Sequence, residues 1–412
     1  MSDERHDPDF IANIAGKILS EQLSQTVSLR KRKVFTTAAS IVVRCDVFDN
    51  CFALPASFIV KKAREDEFEW RPDSPETPNP AHWLFNDWAA SEFLNAIPSA
   101  TPFSPSLYGG SKDYGLIVLE DLGDGETPDT FDALCGDDAE LAEETLIEHV
   151  SLIGQLHAAT IWRHDEYRRI RQRLGPLPNP EKLFQDPWSD ARLHAIRSGE
   201  VKEAIKLYRT VCESVGIHQQ PGITDEIALV TADVEEQPGL FLAFCKGDQN
   251  LAGDYIRRNG QPRLFDFNAS GFRHALVEGM PGRMTWGCMM RIPARILPLM
   301  DAAYQTELKH THPEMSDEIL RRALVEAGAR WHIFHVVHRL REALINDRQR
   351  GPTTLRQQMI AWLEAFADLS EALSFFPALG TSARRLAERL CKVWPVEASN
   401  LPYYPAFRSQ VR

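Results

Sequence analysis

Residues 244–268 read FCKGDQNLAGDYIRRNGQPRLFDFN. An apolar run ends in Lys246-Gly247-Asp248, a polar turn follows, and Tyr255-Ile256 begins a second apolar stretch. The basic turn RRNGQP then leads into a short strand, RLFDF (263–267). The segment therefore reads as strand, turn, strand, turn, strand. Asp248 lies in the first turn and Asp266 at the end of the last strand, where a rigid element presents a carboxylate to a cleft.

Upstream, DFIANIAGKILSEQLS (9–24) has helical apolar spacing, with Asp9 placed to cap it. SIVVRCDVF (40–48) and ASFIVKKA (56–63) are β-rich. The charged, Pro-rich stretch 64–82 reads as a loop, WLFNDWAASEFLNAI (83–97) as a helix, and DYGLIVLEDLGDG (113–125) as a buried strand running into a Gly-containing turn. From about 138 the pattern is helical, beginning with a long amphipathic helix at 139–162, and 172–240 alternates helix with Pro-rich breaks. After Ser270 nearly everything reads as helix. The layout is α+β: a small β-rich N-terminal part and a larger helical part, without the βαβ alternation of a doubly wound sheet.

The chain has 412 residues, 46 Lys+Arg against 58 Asp+Glu, and a net charge of -12. That balance argues against a nucleic-acid or anionic-membrane binder, which needs cationic surface. No apolar run is long enough to span a bilayer, and MSDERHDPDF is not a signal sequence. The 7 cysteines are dispersed with no C-x-x-C pair, as expected of reduced thiols in a cytoplasmic protein. P-loop, dinucleotide, zincin and nucleophile-elbow motifs are missing. His332, His335 and His338 share helical spacing, but no further ligand completes a metal set, so they read as a packed helix face. His157 and Cys245 read as core residues, and His274 as a candidate for shaping the site.

Four chemistry-bearing pieces occur in order. Lys61 ends a strand, Asp87 lies on the next helix, Asp248 follows Gly247, and Asp266 ends RLFD. Phosphoryl transfer from ATP asks for this inventory. A lysine holds phosphates, an acid orients the lysine, one aspartate positions the attacking hydroxyl and another holds Mg²⁺. Lys62 takes the place of Lys61 if the strand register shifts by one.

With VLEDLG at 118–123, Leu156-His157, Lys246-Gly247-Asp248 and Phe265-Asp266-Phe267-Asn268, the chain resembles the aminoglycoside phosphotransferase / choline kinase-like superfamily over roughly residues 30–300. The resemblance implies a two-lobed, protein-kinase-like α+β fold. Residues 1–26 would be an N-terminal helix, 27–118 a nucleotide-binding N-lobe, 119–123 a hinge, 124–295 a C-lobe and 296–412 a helical extension. It implies ATP and Mg²⁺ as cofactors and a small-molecule hydroxyl as acceptor, with amino sugars and amino alcohols as the suggested classes. By the same resemblance Lys61 binds phosphate with Asp87 as its partner, and the backbone groups around Glu120–Leu122 form the adenine-binding hinge. Asp248 is the base and Asp266 the main metal ligand, while Asp254 or Asn250 supplies a second ligand. Thr37 and Ser40 offer hydroxyls in the phosphate-covering turn TTAAS (36–40).

The chain departs from the family pattern in four places. Lys246 replaces the loop histidine, and Asp254 stands near the family asparagine. Asp87 replaces a glutamate, and TTAAS carries no glycine. Aspartate is a competent Mg²⁺ ligand. A glycine-free turn approaches phosphates less easily, so a catalytically impaired kinase-like binding module is the alternative expectation.

Overall fold

In SFIVKKA, Phe58 and Val60 face one way, and Ile59, Lys61 and Ala63 the other, because strand side chains alternate. Each face is covered by a different helix. Phe58, Val60, Val43 and Val118 pack on Ile11, Ile14 and Leu19, while Ala63, Ile59, Ile117 and Leu119 pack on Leu84. Each large aliphatic side chain buried in this way contributes about 1.5–3 kcal/mol.

The computed structural model describes residues 6–37, 39–48, 54–65, 68–99, 102–180, 201–218, 220–247 and 253–411. The strands β1 (Leu29–Thr36), β2 (Ser40–Val47), β3 (Ser57–Ala63), β4 (Leu107–Ser111) and β5 (Leu116–Glu120) form one antiparallel sheet in the order β1-β2-β3-β5-β4. The register sets Lys61 opposite Val42 on one side and Ile117 on the other, near the middle of the sheet.

Helix α1 (Pro8–Leu23) covers the first face and is capped by Asp7, whose Oδ1 accepts from Asp9 N at 2.7 Å. Helix α2 (Pro80–Asn95) covers the second face. Asn79 caps it by accepting from Ala81 N at 3.0 Å, and Pro80 supplies a preset first turn. α2 is buried on nearly every side. Its other side, through Phe85 and Phe93, joins Phe244, Phe267 and Phe272 of the helical part. A helix buried all round belongs between two layers, and this one locks the sheet onto the rest of the chain.

After β5 the chain crosses at Asp121–Gly123 into α3 (Thr130–Cys135), α4 (Ala139–Thr160), α5 (His164–Leu174), α6 (Val201–Ser214) and α7 (Ile223–Val230). Two small ladders follow. β6 (Leu242–Cys245) pairs with β9 (Gly271–His274), and β7 (Tyr255–Arg258) with β8 (Gln261–Leu264). The remainder is mainly helical: α8 (Pro281–Met284), α9 (Trp286–Met289), α10 (Leu297–Thr311), α11 (Asp317–Trp331), α12 (Val337–Ile345), α13 (Leu355–Leu373) and α14 (Pro377–Val393). The chain thus has the two-lobed α+β arrangement of a kinase-like fold. No helix among the described residues is long and apolar enough to cross a membrane.

Several expectations shift. Asp7, not Asp9, caps α1. α2 begins at Pro80 rather than 83, because the Asn79 cap and Pro80 start it inside the stretch taken as loop. The strand expected over 263–267 is Gln261–Leu264 and stops short of Asp266, whose φ of 60° lies outside strand geometry. β9 interrupts the stretch after Ser270 that was expected to be helical, because Gly271–His274 completes a ladder with β6. β1 and β4 are elements the sequence pattern did not reveal.

Candidate active site

β3 delivers Lys61 to the α2-facing side of the sheet. Its Nζ donates to Asp87 Oδ2 at 2.5 Å and to Asp266 Oδ1 at 2.5 Å. The neighbouring Lys62 points elsewhere, donating to Ala63 O at 2.9 Å and to Glu65. The Lys61 register is therefore the one that reaches the acids. Lys61 is buried; burial alone would lower its pKa, but the charges of Asp266 and Asp87 outweigh that and raise it.

Asp87 acts as a splint. Besides Lys61, its Oδ1 accepts from Phe267 N at 3.0 Å, so α2 fixes the backbone just after Asp266. The shorter carboxylate therefore still reaches both β3 and the acidic loop. Asp266 takes a left-handed backbone, φ 60°, a conformation that aspartate tolerates better than most residues. Burial would raise its pKa, but Lys61, Lys246 and the Asn268 N–H lower it. Its side chain stays 35% exposed, so an ionised carboxylate faces solvent with only Oδ1 on Lys61. That donor suits a hard cation such as Mg²⁺.

The strand β6 ends in Cys245, and the next two residues are held from behind. Glu278 is buried, and its Oε2 and Oε1 accept from Lys246 N and Gly247 N, each at 2.8 Å. His157 Nε2 lies 3.0 Å from Glu278 Oε2, and its Nδ1 lies 2.8 Å from the Tyr304 hydroxyl. Burial would push the Glu278 carboxyl up, yet the His157 bond and charge, Arg273 and the Gly247 amide pull it down to about 2. His157, Cys245 and Glu278 lie close enough to suggest a metal set. Glu278 already receives two amides and an imidazole, so the cluster serves as a brace for the loop. Nothing in the sequence reading marked Glu278; an acid in a stretch read as helix carries no signal of its own.

Gly247 has φ 102°, and a Cβ there would stand 1.9 Å from Ala269 O. The two acidic loops therefore touch backbone to backbone, which only glycine permits. Asp248 and Asn250, the expected base and one of the two expected second metal ligands, lie outside the described residues. Asp254 is described, and its Oδ2 accepts from Lys246 Nζ at 2.5 Å. Its carbonyl accepts from Phe265 N at 3.1 Å, which sets it beside Asp266 across the β7–β8 hairpin.

The hinge residues sit where the sheet meets the helical lobe. Glu120 accepts from Ser106 N at 3.1 Å and from Ser106 Oγ at 3.2 Å, and Leu122 is buried. Arg258 donates to the Asp121 carbonyl, and Arg44 bonds Gly123 O at 2.6 Å and Asp124 Oδ1 at 2.6 Å. At the β1–β2 turn, the Thr37 and Ser40 hydroxyl oxygens lie 3.1 Å apart, and Ser40 N donates to Thr37 Oγ1 at 3.0 Å. These hydroxyls hold the turn closed upon itself.

His332 and His274 fall in the core, while His335 and His338 are half-buried. His332 lies 2.8 Å from the Tyr208 hydroxyl and stacks on Phe366. His274 is buried and stacked on Phe241, so it packs behind the ladder.

No protein-family model matches the chain, and no curated protein matches it. Solved structures of low identity resemble it. A choline kinase from Cryptosporidium parvum is 11% identical, with 90% of this chain and 93% of that chain covered and a TM-score of 0.42. An amicoumacin kinase in complex with AMP-PNP and Ca²⁺ is 10% identical, with 82% and 88% covered and a TM-score of 0.42. The streptomycin–ATP complex of an aminoglycoside phosphotransferase is 12% identical, with 78% and 91% covered and a TM-score of 0.40. At such scores the roles of individual residues rest on this chain's own geometry.

Proposed function

We propose that the chain is an ATP-dependent kinase that transfers the γ-phosphoryl group to a hydroxyl of a small molecule. The observation that carries this reading is Lys61, held at 2.5 Å from both Asp87 and Asp266 although the three come from a strand, a helix and a distant loop. A cation between two acids, one of them partly exposed, is the arrangement that phosphate and metal binding need.

In this reading Asp87 keeps the Lys61 ammonium charged and aimed, and Lys61 holds phosphate oxygens. Asp266 would hold Mg²⁺, which supplies neutralisation of the phosphate charge when bound. Asp248 accepts the proton of the acceptor hydroxyl as its oxygen bonds to the γ-phosphorus. The bond from phosphorus to the β–γ bridging oxygen breaks, and ADP leaves with that electron pair. Glu278 and His157 keep the loop before Asp248 in place. The acceptor classes proposed first are amino sugars and amino alcohols.

A non-catalytic module is the competing reading, favoured by one observation: the Thr37 and Ser40 hydroxyls are spent inside their own turn. An ATP-consumption screen over amino sugars, amino alcohols, sugars and nucleosides separates the two. The kinase reading expects at least one acceptor to drive ADP release, and Asp248→Asn to abolish it. Undiminished turnover in Asp248→Asn would remove Asp248 from the mechanism, and no turnover with any class would favour the module.

A further inference from the structure

Lys246 is a buried lysine whose ammonium is directed at an acid of the site. It is 2% exposed, its backbone N–H is fixed by Glu278, and its Nζ lies 2.5 Å from Asp254 Oδ2. Asp254 in turn is held next to Asp266 by the Phe265 N–Asp254 O hydrogen bond of 3.1 Å. Burying an ammonium costs several kcal/mol unless an opposite charge and further hydrogen bonds accompany it.

Charge arithmetic sharpens the point. Among the described residues, the two ammoniums of the site, Lys61 and Lys246, form ion pairs with three carboxylates, Asp87, Asp254 and Asp266. A histidine at 246 and an asparagine at 254, both neutral, would leave the same net charge. The two departures from the family pattern therefore cancel as a pair, and either alone would shift the net charge of the site by one. A kinase site that uses two divalent ions needs ligands for both. Here the carboxylate nearest Asp266 on the hairpin already carries a cation that belongs to the chain.

We propose that Lys246 is a tethered counter-cation that stands in for a second divalent ion, so the site takes a single divalent ion on Asp266 and Asp254 serves Lys246 rather than a metal. The proposal rests on the phosphotransfer reading for its biological sense, but its test does not. The pairing also accounts for lysine in a loop position where histidine is the family residue.

The test is a Mn²⁺ titration of the full chain followed by the electron paramagnetic resonance signal of free Mn²⁺, with and without AMP-PNP. Wild-type protein and Asp254→Asn are expected to bind the same number of ions. Lys246→Met, which uncovers Asp254, is expected to bind about one ion more per chain. The double variant Lys246→Met/Asp254→Asn is expected to return to the wild-type number, with a melting temperature restored toward wild type. Loss of a bound ion in Asp254→Asn, or no gain in Lys246→Met, would overturn the proposal. Asp254→Asn decides the matter by itself if Lys246→Met does not fold. Failure of AMP-PNP to bind would count against the kinase reading alone, because the nucleotide-free titrations still compare the variants.

Discussion

Lys61 Nζ lies 2.5 Å from Asp266 Oδ1, a hydrogen bond between residues 205 positions apart in the chain. It joins the N-terminal sheet to the loop after β8. Asp87 closes the triangle by binding Lys61 with one oxygen and the Phe267 amide with the other. The relative placement of the two lobes is thus set at the same point where the site gathers its charge.

Removing the cation should therefore cost stability as well as function. Lys61→Met leaves Asp87 buried without its ammonium, and breaking a buried pair costs about 3–5 kcal/mol. The urea midpoint should drop accordingly, and Lys61→Met/Asp87→Asn should regain part of the loss. An unchanged midpoint in the single variant would mean that the triangle does not bear on the fold.

Glu278 should matter for turnover more than for nucleotide affinity. Glu278→Gln weakens charged hydrogen bonds to two amides and to His157, for an expected loss of about 2–4 kcal/mol. Steady-state kinetics should show a lower kcat with a nearly constant KM for ATP, since the loop before Asp248 is what Glu278 holds. A change confined to KM would contradict that role.

Acid should unfold the protein early. Burial, aided by Lys246 at His149, by His157 at His274 and by Arg171 at His82, lowers His149, His274 and His332 to about 3 and His82 to about 4, from 6.5. A folded pKa below the unfolded value means that the unfolded chain binds more protons between the two. The stability from these neutral imidazoles is complete above pH 6.5 and is lost as pH falls toward 3–4. Glu278 acts in the same direction lower down, its contribution being present above 4.5 and lost toward about 2. Melting temperature should fall steadily from pH 7 to pH 5; a flat profile would show that these imidazoles are not buried as neutral groups.

Gly247→Ala should be among the most damaging single-methyl changes at the site. Its φ of 102° strains any L side chain, and the new Cβ would stand 1.9 Å from Ala269 O. Parting the two loops costs at least about 1–3 kcal/mol of backbone strain. Circular dichroism melts and turnover should both decline, and wild-type turnover would show that the loops need not touch.

The chemistry-bearing residues were more legible in the sequence than the elements that carry them. Lys61, Asp87 and Asp266 stand out because lysine or aspartate ends or interrupts an apolar run, and the structure brings those three together. β1 escaped notice because LRKRKVFT is an exposed edge strand with consecutive basic residues and no apolar alternation. β4, LYGGS, is weakened by two glycines, and β9 is only GFRH. The start of α2 was readable, since Asn79-Pro80 is a cap signal, but the surrounding prolines masked it. Glu278 and the Lys246–Asp254 pair were not readable as such, because each depends on a contact between loops that no local pattern encodes.

The central claim is that Asp266 and Lys61 together bind Mg²⁺ and nucleotide phosphate, and thermal unfolding with ATP and Mg²⁺ tests it most directly. Wild-type protein should gain stability in a Mg²⁺-dependent way, by about 2.7 kcal/mol when ATP stands ~100-fold above its Kd. Asp266→Asn and Lys61→Met should show no such gain over their own ligand-free melts. No shift in the wild type at millimolar ATP and Mg²⁺, or an equal shift in all three proteins, would contradict the account.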